Sequence, residues 1–331
     1  MAGRGGLPVP LFARLAIHRQ FGDAASFDRP VPFELDFFAP DPKTFAAFMS
    51  SFLQNLLVAF ECVLDVAGLV YVGRLCFGAA GRAARARPAA LPAWEVSLTD
   101  FLFLGWLVLS FMVLGQLLLQ ATVGPMLQRQ LEGGTFVLLL SGSMFDFGAA
   151  ATWLGARAFA RRFRPAALRP CAPVTPEGLR QLFRDGLLTF LAVLPLATGV
   201  GLIWERLLQT LGLPAERQEI IDLILRSKSP TLLGFVIGLA LVVAPIGEEL
   251  VFRVGIFGFL RTRTPRWVAF GVSAGLFALL HLNWMSALPL FILGLVFAIS
   301  YERTGRMEVP MLAHAFFNLN SLLLVLSGVG N

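Results

Sequence analysis

The residues best suited to chemistry lie in one apolar stretch, 232–260, which carries Gly247-Glu248-Glu249-Leu250-Val251-Phe252-Arg253. An ionised group at mid-bilayer costs about 2.5–3.5 kcal/mol, so three such groups cost on the order of 8–10 kcal/mol before pairing. They must therefore face protein or a wet cavity. Glu249 and Arg253 are spaced i, i+4 with the acid first, the favourable order for an intrahelical ion pair. Glu248 is turned about 100° away and is left free for chemistry. The bland alternative is that all three form a packing network. A second polar residue, His281, follows Phe277 by one helical turn, and a third set, His314 and Asn318, shares one helix face. Taken singly, each is also what a bundle uses to hydrogen-bond neighbouring helices.

Depth counting brings two of these groups together. Glu248 precedes Arg261 by about 13 residues and His281 follows Arg266 by about 15, which places both about 20–22 Å from the intervening turn. His314 and Asn318 come out shallower, about 8–15 Å in. Two GxxxG pairs, Gly234/Gly238 and Gly271/Gly275, are expected to let the helices approach. A carboxylate beside a histidine holds a water and takes its proton, and a second histidine with an asparagine donates to a developing oxyanion. Those are the parts of a peptide-bond hydrolase. Glu248, His281 and His314 are also zinc-ligand types, although the H-E-x-x-H helix is absent.

The elements that must position these groups follow from composition. Of 331 residues 56% are hydrophobic, 31 are Phe and only 15% are charged. That excludes a disordered chain, a coiled coil and an ordinary soluble enzyme. About eight candidate spans fall near 52–73, 101–121, 135–156, 186–204, 231–260, 266–284, 286–301 and 309–328. The sixth and seventh form an antiparallel hairpin. The fold class is thus all-α, a polytopic transmembrane helical bundle. It divides into a surface segment 1–45 with an interfacial helix near 11–21, N-terminal transmembrane helices 46–215, and a core 216–331. Residues 7–13 are too short, and too rich in Pro, for a cleavable signal.

The net charge of +6 comes mostly from Arg in short clusters, such as Arg82, Arg85 and Arg87 or Arg161, Arg162 and Arg164, that flank spans. These read as cytoplasmic anchors and not as a nucleic-acid surface. Three widely spaced Cys, at 62, 76 and 171, form no disulfide framework or metal cluster.

The order E-E-x-x-x-R (Glu248, Glu249, Arg253), F-x-x-x-H (Phe277, His281) and H-x-x-x-N (His314, Asn318), with Tyr301-Glu302-Arg303-Thr304-Gly305 between, resembles the CPBP family. These are CAAX-protease and bacteriocin-processing intramembrane proteases, including the Ras-converting endopeptidases. The resemblance covers 230–325. It implies a membrane-embedded cavity open to the cytosol and a glutamate-type endopeptidase. Glu248 would be the water-activating base assisted by His281, His314 and Asn318 would stabilise the oxyanion, and Glu249, Arg253 and Phe277 would support. It implies no required cofactor, with a divalent metal at Glu248, His281 and His314 the open alternative. Partners would be membrane lipids and a membrane-anchored or hydrophobic peptide, with no nucleic acid. The Arg- and Ala-rich composition points to a bacterial inner membrane. Two other readings use the same groups: an ion-coupled transporter, to which Glu61, Asp65 and Asp146 add intramembrane carboxylates, and a catalytically silent immunity or binding protein.

Overall fold

The computed structural model describes residues 42–79, 81, 94, 96–122, 124–127, 133–159, 175–213 and 229–328. All regular structure among them is helical: α1 (Pro42–Phe77), α2 (Leu98–Thr122), α3 (Gly124–Leu127), α4 (Gly133–Gly142), α5 (Met144–Phe159), α6 (Pro176–Thr210), α7 (Pro230–Leu260), α8 (Arg266–Leu279), α9 (Trp284–Thr304) and α10 (Glu308–Ser327). Seven stretches of the described residues are long and apolar enough to cross a membrane. The molecule is an all-α integral membrane protein. The interfacial helix expected at 11–21 and most of the Arg clusters lie outside the described residues.

Local chemistry sets the helix starts. Thr175 and Ser229 each accept a backbone N–H from the first turn, of Gly178 and Leu232, and each precedes a proline at the first helical position. Asn283 caps α9 through the N–H of Ser286 at 2.9 Å. At the other end of α9, Gly305 takes the left-handed conformation (φ 67°) that ends a helix without a Cβ penalty.

The eighth expected span is a correction. The stretch 266–284 yields only the 14-residue α8, about 21 Å long and short of the hydrocarbon thickness. The chain turns at 280–283, where Leu282 sits at φ 50° and Asn283 already caps the next helix. His281 therefore lies in this turn and not on a helix. The antiparallel α8–α9 pairing is present.

The small residues that permit close packing also differ from those expected. A Cβ added to Gly234, Gly238, Gly271 or Gly275 would meet nothing within 4 Å. The close approach of α9 to α8 is made instead at Gly294, whose Cβ position is 2.9 Å from the Ala274 Cα. GxxxG spacing marks a face that can approach a neighbour, but these faces have none at that range.

The unit Ala47–Asn331 holds everything described below. Its core is a continuous aromatic layer in which Phe190, Val193 and Leu194 of α6 meet Phe252 of α7, Phe277 of α8, Leu293 and Phe297 of α9, and Ala313 of α10. The outward sides of α1 and α2 carry large exposed apolar residues such as Phe60, Val63, Trp106 and Leu118, the composition of a lipid-facing surface.

Candidate active site

Helix α7 is not a regular α-helix where the glutamates sit. Two π-helical stretches, Leu239–Val243 and Leu250–Phe257, flank the α-helical Ala244–Glu249. Pro245 accounts for the first, since it has no N–H to donate and its ring crowds the carbonyl one turn back. Widened turns of this kind leave carbonyls to be satisfied by side chains, and in a membrane that demand is strict. Asn318 of α10 donates Nδ2–H to the Ala240 carbonyl at 2.8 Å. The hydroxyl of Ser273 in α8 donates to the Phe252 carbonyl at 2.8 Å. The irregular backbone thus ties α7 to both neighbours at the level of the site.

Glu249 and Arg253 form the expected i, i+4 ion pair, with Nε 3.0 Å from Oε2 and both side chains fully buried. The N–H does not point along that line, so the attraction is electrostatic more than a directed hydrogen bond. The guanidinium is enclosed by aromatic rings, with Cζ 4.4 Å from the Phe277 centroid, 5.4 Å from that of Phe297 and 5.9 Å from that of Phe252. Ring faces substitute for hydrogen-bond acceptors around this buried cation.

His314 joins the two glutamates. Its Nδ1 is 3.2 Å from Glu249 Oε1, and its Nε2 is 3.7 Å from Glu248 Oε2. With Nδ1–H donating to Glu249, the carboxylate sets the ring's orientation and presents Nε2 towards Glu248. The longer distance exceeds a direct hydrogen bond. Glu248 is partly exposed, while its Oε2 is buried without a hydrogen-bond partner. His314 is therefore level with the glutamates, deeper than the residue count placed it. The count assumed a uniform rise from each turn, whereas the π stretches pack more residues into a given length of α7.

His281 stands apart from Glu248. Its Nδ1 is 2.8 Å from the Phe277 carbonyl, and among the described residues it has no hydrogen bond or ion pair with Glu248. Both histidines border Phe277, at ring-centroid distances of 5.0 Å for His281 and 6.0 Å for His314. Phe277 thus presents its face to Arg253 and separates the two imidazoles.

Residues 230–320 match the family model described as type II CAAX prenyl endopeptidase Rce1-like. A Bacillus subtilis (strain 168) protein named "Putative membrane peptidase YdiL" is 36% identical over 90 residues, covering 27% of this chain and 37% of that protein. Through this segment the chain belongs to the CPBP family. The match spans little more than a third of the relative's length, and no solved structure matches the chain. Every residue of the three CPBP-type motifs falls inside the matched segment, while α1 to α6 lie outside it.

A divalent metal in this CPBP site would need three ligands from the chain. Among the described residues no three His, Cys, Asp or Glu side chains gather in that way. His314 approaches Glu248, but His281 is turned to its own helix. The residues do not fit a three-ligand metal, and no step is routed through one.

Two features went unread in the sequence. Glu302, buried between α7 and α8, receives Arg261 Nε at 3.4 Å and also pairs with Arg266, so one carboxylate clamps both ends of the 261–266 turn. The signal was present as an acid one turn before the capping Gly305. Asp146 of α5, noted only as an intramembrane carboxylate, packs directly on Gly247. Glu61, by contrast, accepts Asn320 Nδ2–H at 3.0 Å, a link between α1 and α10.

Proposed function

We propose that the chain is an intramembrane endopeptidase that hydrolyses a peptide bond with water activated by Glu248. The observation that carries this reading is the bridge made by His314, which is fixed by Glu249 at 3.2 Å and faces the unpaired Glu248 oxygen at 3.7 Å. Glu248 takes a proton from water as its oxygen attacks the substrate carbonyl, then passes it to the leaving amine. The Asn318 amide and His314 Nε2, in its protonated form, donate to the oxyanion, at the cost of Asn318's bond to Ala240. His281, across Phe277, acts on the substrate side of the cavity. Glu249 and Arg253 hold His314 and the helix in place.

The cavity opens to the cytoplasm of a bacterial inner membrane, on the side of the clamped 261–266 turn. The substrate is a membrane-anchored or hydrophobic peptide cut near a C-terminal or lipid-modified tail. The reaction as drawn uses no metal ion. The test is Glu248→Ala, followed by comparative proteomics of membrane and secreted fractions. An uncleaved precursor accumulating while the variant inserts normally is expected, and unchanged cleavage overturns the reading.

A further inference from the structure

Helix α5 touches α7 at one demanding point. A Cβ on Gly247 would lie 2.4 Å from both Cα and Cβ of Asp146 and 2.5 Å from its Oδ1. Only glycine beside Glu248 allows this approach, so the backbone and carboxyl group of Asp146 rest on the segment that carries the base. Asp146 is 8% exposed, and its Oδ1 is buried with no hydrogen-bond partner. Glu248 likewise keeps a buried oxygen without one, and the two carboxyl groups lie within electrostatic reach of each other.

The other charges near the pair are committed elsewhere. Arg253 is held by Glu249 inside its aromatic cage, and His314 is fixed by Glu249. Helix α2 presents Val108, Phe111 and Gly115 to α5, none of them charged. Two carboxyl groups sharing a dry site do not both ionise, because each anion raises the cost of the other.

We propose that Asp146 and Glu248 form a carboxyl pair holding a single proton, with Asp146 the positioning residue that carries it and Glu248 left as the base. This rests on the peptidase reading above and adds a residue outside the matched segment. During hydrolysis the carbon–oxygen bond forms from water, whose proton moves to Glu248. The carbon–nitrogen bond then breaks as that proton passes to the amine, and the Asp146 proton stays in place throughout. At alkaline pH its loss leaves two anions facing a developing oxyanion, and turnover falls.

Three measurements on full-length protein test this: infrared difference spectra of wild type against D146N, and pH–rate profiles of D146N and D146L. The wild type is expected to show the carbonyl stretch of a protonated carboxyl group at neutral pH that D146N lacks. D146N, neutral and still a donor, is expected to keep kcat within about threefold and to lose the alkaline fall. D146L, with no donor, is expected to lose about tenfold or more in kcat with KM little changed. A band unchanged in D146N, an alkaline limb that persists there, or a D146L variant as active as D146N overturns the proposal. The infrared band needs no substrate, so the pair is decided even if Glu248→Ala defeats the peptidase reading.

Discussion

Replacing Arg253 by methionine tests the interior of the site most directly. The substitution keeps an unbranched apolar stem and removes the charge. Glu249, fully buried, then keeps only His314 at 3.2 Å as a partner. Removing one member of a buried ion pair costs about 3–5 kcal/mol, chiefly because the remaining charge is stranded. The lost contact with the Phe277 and Phe297 faces, worth about 2 kcal/mol when desolvated, is part of that total and does not add to it in full. The folded-to-unfolded ratio should therefore drop more than about a hundredfold. Changing Glu249 to leucine in the same chain removes the stranded anion, and the double variant should regain most of the stability while His314 loses its anchor. The two quantities then separate, with stability recovering and cleavage staying low. Thermal unfolding in detergent, read beside cleavage by the same preparations, measures both. If the single variant unfolds within about 0.5 kcal/mol of wild type, the pair is not the structural element described. If the double variant recovers activity with stability, Glu249 does not act through His314.

Two further outcomes follow from the packing. Asn318→Ala strands the Ala240 carbonyl at a cost of about 1–3 kcal/mol and removes an oxyanion donor. Its kcat should fall about a hundredfold or more with KM little altered, checked by steady-state cleavage. Gly247→Ala drives a methyl group into Asp146, so α5 and α7 must separate. This one-carbon change should lower thermal stability by about 1–3 kcal/mol and abolish cleavage, whereas Gly271→Ala, with open space around it, should leave both near wild type.

The sequence was most legible where a strong physical cost stood against a residue. Charges inside apolar stretches singled out Glu248, Glu249 and Arg253, and helical spacing was enough to pair the last two. Long apolar runs likewise marked seven of the spans. Where regular geometry was assumed, the reading slipped. Uniform helical rise misplaced His314, because α7 contains two widened turns that no apolar pattern announces. Residues 266–284 are apolar throughout, yet α8 stops early because Asn283 caps the next helix. Asp146 and Gly247 are about 100 positions apart, and only tertiary packing brings them together. The GxxxG pairs show the reverse case, a local pattern with no partner to use it.

The shortness of α8 has a consequence for the bilayer. A helix of about 21 Å leaves about 9 Å of a 30 Å hydrocarbon layer uncovered at the His281 end. Lipid beside a stunted segment responds by thinning, which draws the headgroup region inward. The exposed Leu282 and Trp284 stand at that rim, with the Trp204 indole donating to the Trp284 carbonyl at 2.7 Å as an interfacial anchor. The dimple this creates shortens the path for water towards His281. Hydrolysis inside a membrane depends on such a supply, and here the fold provides it by making one helix too short to reach the other surface.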